Sequence, residues 1–149
     1  MGSSGWTPRQ QEIVDRTVDL VRRGGLGNVT MRKIAELVGV SDAANFVALG
    51  LHALQHRGQE AGGIVAHDPE RGFNSAHRFG YVRDNFTSQG LMQTLPGPLA
   101  IGHVRYSTAG AKGPAIRDVQ PFFGEFAMGG AAIAHNGNIT NANALRREL

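Results

Sequence analysis

The hydrophobic period of this chain changes about a third of the way along. That change restricts it to a helical start followed by short, glycine-punctuated strands. In the first stretch Ile13, Val14, Thr17, Val18 and Val21 fall on one helical stripe. Thr7-Pro8 supplies an N-cap with proline at the first helical position, and Gly24-Gly25 ends the run after Arg22-Arg23. A second short helix is expected from Thr30, with Ile34, Ala35 and Val38 on one face and a tight turn at Gly39-Val40. Ser41 would then cap a third helix through its hydroxyl. This is the build of a helix-turn-helix or of an ordinary helical hairpin.

From Asn45 onward the pattern differs. Phe46, Leu49, Ala53 and Leu54 carry a helix toward Gly58. Gly63–Ala66, Leu99–Val104 and Ala131–Ala134 then suit buried strands, with Pro96-Gly97-Pro98 breaking the chain before the second of them. Gly124, Gly129 and Gly130 indicate a hairpin around Phe122–Met128, and Thr140–Leu149 reads as a closing helix. Fifteen of the 21 glycines and all six histidines lie in residues 45–149. A glycine share of 21 in 149, about twice the usual one, implies many turns and close backbone approaches. Met1-Gly2-Ser3-Ser4-Gly5 is set aside as an expression scar, so residues 1–6 are kept apart from a helical segment 7–44 and an α+β segment 45–149.

Composition removes several chemistries. With no cysteine there is no disulfide framework, cysteine zinc site, iron–sulfur cluster or thiol nucleophile. The formal charge of +3 is modest for a nucleic-acid binder, although the pI near 10.0 leaves that class open. His52 and His56, at i and i+4, are half of a zinc site on one helix face, but no partner sits at motif spacing. Neither a metal nor a cofactor is expected. No apolar run reaches the roughly 18–20 residues of a membrane span, and the expected location is cytoplasmic.

Two family resemblances meet within one predicted helix. Residues 7–44, TPRQQEIVDRTVDLVRRGGLGNVTMRKIAELVGVSDAA, resemble the start of tetracycline-repressor family regulators. That likeness implies DNA contacts from Thr30, Arg32, Ser41 and Asn45. Residues 42–149 resemble the glutaminase domain of glutamine phosphoribosylpyrophosphate amidotransferase, on the strings LHALQHRGQEAGGIVAHD, IGHVRYSTAG, QPF and AHNGNITNANALRREL. This second likeness implies an N-terminal-nucleophile fold of antiparallel sheets between helical layers, here truncated to a partial β layer with helices. It also implies glutamine hydrolysis by an N-terminal cysteine whose own α-amine is the base. By resemblance Arg105, with Thr108, grips the glutamine α-carboxylate, for which a guanidinium fork is suited. Asn136 and Gly137 match the oxyanion hole, where an amide and an unobstructed N–H stabilise a tetrahedral oxyanion. Arg57, in Gln55-His56-Arg57-Gly58-Gln59, is given a supporting role.

Counted back without gaps from QHRGQ, the family's cysteine falls on Arg32, which has neither a thiol nor, being internal, a free α-amine. Ser41-Asp42-Ala43-Ala44 is shared by both likenesses, so a continuous helix Ser41–His56 is expected across the seam. The expected protein is therefore a non-catalytic chimera that retains glutamine-binding and oxyanion residues without their nucleophile. The rival readings are an amidophosphoribosyltransferase-like glutamine amidotransferase of purine biosynthesis and a weak, salt-sensitive DNA-binding module. Glutamine, held weakly, is the expected ligand. Self-association through an exposed sheet edge or a domain swap is the expected assembly, and no membrane partner is expected. Lys33–Val40 fits helix in one parent's context and strand in the other's.

Overall fold

A computed structural model describes residues 5–25, 27, 34, 43–106, 115–137, 141, 144, 145 and 147. Helix α1, Pro8–Gly24, forms as its caps dictate. The Thr7 Oγ1 accepts from the Gln10 N–H at 3.1 Å, and the Gln10 Oε1 accepts from the Thr7 N–H at 2.9 Å. This reciprocal pair satisfies donors that the first helical turn otherwise leaves orphaned. At the other end Gly25 takes φ 70°, a conformation open to glycine, and its N–H closes on the Val21 carbonyl.

The helix α2 (Ala43–Ala53) ends before His56, where the expected Ser41–His56 run was to close; Ser41 lies outside the described residues. Beyond Leu54 the chain tightens into a 3-10 turn, Gln55–Arg57. Gln55 explains the break. Its side chain donates to the Gly58 carbonyl at 2.6 Å and accepts from the Val82 N–H at 2.6 Å, so it serves the turn rather than a continuing helix. Gly58 must also lie against strand backbone: a Cβ there would sit 2.8 Å from the Arg105 carbonyl carbon and oxygen. The premise of His52 and His56 on one helix face fails with this break. His52 instead meets the Trp6 ring edge-on at 5.9 Å, so a residue grouped with the leader packs on the fold.

Strands β1 (Ala61–Asp68), β2 (Gly72–Phe79) and β3 (Leu99–Arg105) form an antiparallel sheet in the order β2-β1-β3. The central strand is buried along 61–66, as its continuous apolar run requires when both faces are covered. Ile64 and Ala66 join Ala44, Ala48 and Leu51 of α2 in the core, together with Phe86, Met92 and Leu95. Phe86 and Ile64, essentially without exposure, each contribute about 1.5–3 kcal/mol by leaving water. The short helices α3 (Val82–Asn85) and α4 (Gln89–Gln93) bring Phe86 and Met92 to that core.

Helix α2 can approach the sheet because β3 carries Gly102, where a Cβ would run into Val47 and sit 2.8 Å from Leu51 Cδ1. Across the seam, Gln10 Nε2 donates to the Phe86 carbonyl at 2.8 Å, both residues being buried, which ties α1 to the second segment. The Ala43 N–H donates to the Gly97 carbonyl at 3.1 Å and anchors the start of α2 on the Pro96-Gly97-Pro98 turn.

The hairpin β4 (Phe122–Phe126) and β5 (Gly129–Ile133) forms where the glycines place it. Phe123 stacks on Phe73 of β2 with ring centroids 5.4 Å apart, so the hairpin meets the three-stranded sheet. Two expected burials are corrected. Leu99 and Ile101 of β3 are exposed, and β5 is exposed at all but Ala132. Both strands are covered less than β1, since among the described residues β3 is a sheet edge and β5 has only β4 as a neighbour. Strand β2 was not legible, because its GFNSAHRF has no apolar alternation and buries only Ala76.

Thr30, Arg32 and Ser41 lie outside the described residues, as does Lys33–Val40 apart from Ile34. Ile34 is helical and packs with Ile13. Of the closing segment, Ala144, Leu145 and Arg147 are described and helical.

Candidate functional site

The end of β3, the 3-10 turn after α2 and the exit of β5 converge on a cleft of about 790 Å³. Four residues singled out from the sequence line it together: Arg57, Arg105, Asn136 and Gly137. They come from three separated parts of the chain, so only the fold brings them into one place. Thr108 lies outside the described residues.

Arg105 occupies the last position of β3, paired with Ala61 of the buried central strand. Its Nε lies 3.4 Å from Glu60 Oε2, and its Nη1 donates to the Asp118 carbonyl at 3.2 Å. The side chains of Arg105 and Glu60 are only 22% and 21% exposed, so this ion pair is better screened from water than a surface one. The pair fixes the guanidinium, and among the described residues Nη2 has no protein partner. The N–H groups of Nη2 can still donate to a carboxylate.

Asn136 and Gly137 follow β5. The preceding His135 N–H donates to Gln120 Oε1 at 2.6 Å, which moors this exit to the segment before β4. At Gly137 a Cβ would stand 2.6 Å from His135 Cε1, so the absence of a side chain lets the His135 ring lie there. Converging amide and N–H donors can stabilise oxygen that is gaining negative charge.

Sequence reasoning did not single out His103, Asp118, Gln120 or His135, all of which also line the cleft. His103 and His135 were inside the quoted strings, whereas no local pattern separates a lining side chain from a packing one. Burial holds His103 below the usual imidazole range, and the nearby Arg105 charge acts in the same direction. Its Nδ1 is enclosed without a hydrogen-bond partner.

Comparison with known proteins gives this geometry a context. A 113-residue alignment with the amidophosphoribosyltransferase of Rhizobium etli is 53% identical and covers 76% of this chain and 22% of that protein. Most of this chain is similar to amidophosphoribosyltransferases. The Lacticaseibacillus casei amidophosphoribosyltransferase is 45% identical over 74% of this chain and 56% of its own length. A solved structure described as the allosteric regulatory enzyme of purine biosynthesis matches with a TM-score of 0.59 and 40% identity. That match covers 68% of this chain and 21% of the other. The mixed helical and antiparallel-sheet arrangement thus resembles the amidophosphoribosyltransferase fold. This chain spans about a fifth of the length of most of the curated relatives it matches. No family model matches it.

Nothing in the comparisons supports a repressor-like DNA reader, and the fold argues against one of its expected contacts. Asn45 is 7% exposed, enclosed within α2's packing rather than presented to solvent. Among the described residues, no three His, Cys, Asp or Glu side chains group to hold a metal, and no helix is long and apolar enough to cross a membrane.

Proposed function

We propose that the cleft recognises glutamine and that this chain does not hydrolyse it. The carrying observation is the convergence of Arg57, Arg105, Asn136 and Gly137 on one cleft in a chain without cysteine. In this reading Arg105 receives the α-carboxylate and the donors at Asn136 and Gly137 face the side-chain amide. Arg57 adds positive charge at the wall, and Thr108 assists Arg105. No thiol is present to attack the amide carbon, so the amide remains intact.

The same reading treats residues 7–44 as an addition to an amidophosphoribosyltransferase-like glutaminase segment. Its support is the share of the chain left uncovered by alignment with the relatives, 24% for the Rhizobium protein, which matches 76%. The added segment stabilises the rest through the Gln10–Phe86 bond.

Isothermal titration of the full chain with L-glutamine, alongside an ammonia-release assay, tests both halves. Weak saturable binding that is lost in Arg105→Ala, with ammonia at the buffer blank, is the expected result. Binding unchanged in Arg105→Ala would refute the recognition geometry. Ammonia release that disappears in Arg105→Ala would refute the non-hydrolytic reading.

A further inference from the structure

The cleft is larger than one amino acid fills, and it runs along the outer edge of β3. Its volume of about 790 Å³ lies in the range that takes drug-sized ligands. Residues 102–106 line it consecutively. Side chains alternate between the two faces of a strand, so a space touching each of them in succession reaches round the strand's edge. Among the described residues β1 is the only strand paired with β3, and the backbone of residues 102–104 has no further backbone partner. The N–H and C=O groups that β3 directs away from β1 are therefore open to another extended chain.

The two faces that meet at this edge differ. On the α2 side Leu51, Leu54 and Val104 line the cleft, with Val104 packed on the core below α2 and Leu54 45% exposed. The other side is polar. The Gln120 carbonyl lies where a Gly63 Cβ would be, and Gly63 pairs with His103, which puts Gln120 on the face of His103 and Arg105. His135, held by Gln120, brings Asn136 and Gly137 to that side. Arg105 stands at the C-terminal end of β3, so a chain laid parallel to β3 ends with its carboxylate at the guanidinium. If its last side chain points to the polar face, alternation turns the preceding one onto Leu51 and Leu54.

We propose that the cleft takes extended peptides that end in a free glutamine preceded by an apolar residue, paired in parallel with β3. The proposal rests on the glutamine reading for the terminal residue and adds the strand edge and the apolar face. The terminal carboxylate meets Arg105 Nη2, the side-chain amide meets the donors at Asn136 and Gly137, and the penultimate side chain covers Leu54.

The test titrates the full chain calorimetrically with N-acetyl-leucyl-glutamine, N-acetyl-aspartyl-glutamine and free L-glutamine, and follows amide hydrogen exchange in residues 99–106. The leucyl peptide should bind about tenfold or more tighter than the other two. It should slow exchange in residues 99–106, and both effects should vanish in Arg105→Ala. In Leu54→Asp its advantage over the aspartyl peptide should fall by about tenfold or more, with Leu54→Asn as the second variant if the first does not fold. Equal affinity for the two peptides, unchanged exchange in residues 99–106, or an undiminished preference in a folded Leu54 variant would overturn the proposal. Glutamine binding that is lost in Arg105→Ala, with no gain for the leucyl peptide, overturns it and leaves the glutamine reading standing. A leucyl peptide that binds as expected where free glutamine does not supports it and removes the free amino acid as the ligand. Binding by none of the three overturns both.

Discussion

The three-stranded sheet and the β4–β5 hairpin are both antiparallel, both rich in glycine and small or aromatic residues, and yet differently stabilised. In the first, β1 has hydrogen-bonded neighbours on both edges and cover on both faces, with α2 close enough to exclude water. In the second, two strands pair only with each other among the described residues, and Phe126 and Met128 are 66% and 100% exposed. Similar composition therefore yields a core in one place and an exposed apolar surface in the other. The deciding variable is how many faces the rest of the chain covers.

The largest contrast comes from truncating one phenylalanine in each region. Phe86→Ala, in the core under α2, should cost about 3–5 kcal/mol in urea denaturation. Phe126→Ala should stay within about 0.5 kcal/mol. A comparable loss at Phe126 would show that the hairpin is as well covered as the sheet and would break the comparison.

Glycine replacement should separate the regions by sign. At Gly63 a Cβ would run into the Gln120 carbonyl and stand 2.5 Å from the His77 ring. Gly63→Ala should therefore destabilise by about 1–3 kcal/mol. At Gly124 the nearest neighbour of a Cβ is the Phe126 ring at 3.5 Å, an ordinary contact, and φ is not in the glycine region. Gly124→Ala should stabilise by about 0.4–1 kcal/mol, because it mainly restricts the unfolded chain. Matching denaturation midpoints for the two variants would contradict this picture.

The smallest effect is a pH dependence from His103. Burial and the Arg105 charge lower its folded pKa below the unfolded value of 6.5. Between those two pKa values the unfolded state binds more protons, so stability rises with pH through that window and levels off above about 6.5. On acidification the contribution is lost as the pH falls from the unfolded toward the folded pKa. Denaturation midpoints followed from neutral pH downward should show that slope in the parent and a flatter one in His103→Gln. Parallel curves would mean that His103 is solvated in the folded protein.

Much of the local structure was legible before any tertiary contact was known. Thr7-Pro8 and Gly24-Gly25 bounded α1 correctly because capping is satisfied within a few residues. The hairpin of β4 and β5 followed from its glycines, and β1 from its unbroken apolar run. Strand β2 stayed hidden because an edge strand with a polar face carries no apolar alternation, and its Ala76 gains meaning only opposite Ile64. The end of α2 was misplaced because Gln55 is turned away by Val82, which lies 27 residues further along.

The candidate site divides in the same way. Residue types and strings singled out Arg57, Arg105, Asn136 and Gly137 and showed that the chain carries no cysteine. Sequence alone determined this, because nucleophile chemistry and capping depend on which atoms a residue carries. Only the tertiary structure decided that these four residues share a cleft, that Glu60 and Asp118 hold Arg105, and that Asn45 turns inward rather than toward DNA. The physical reason is that burial and convergence are properties of the space between distant segments, and no single segment contains that information.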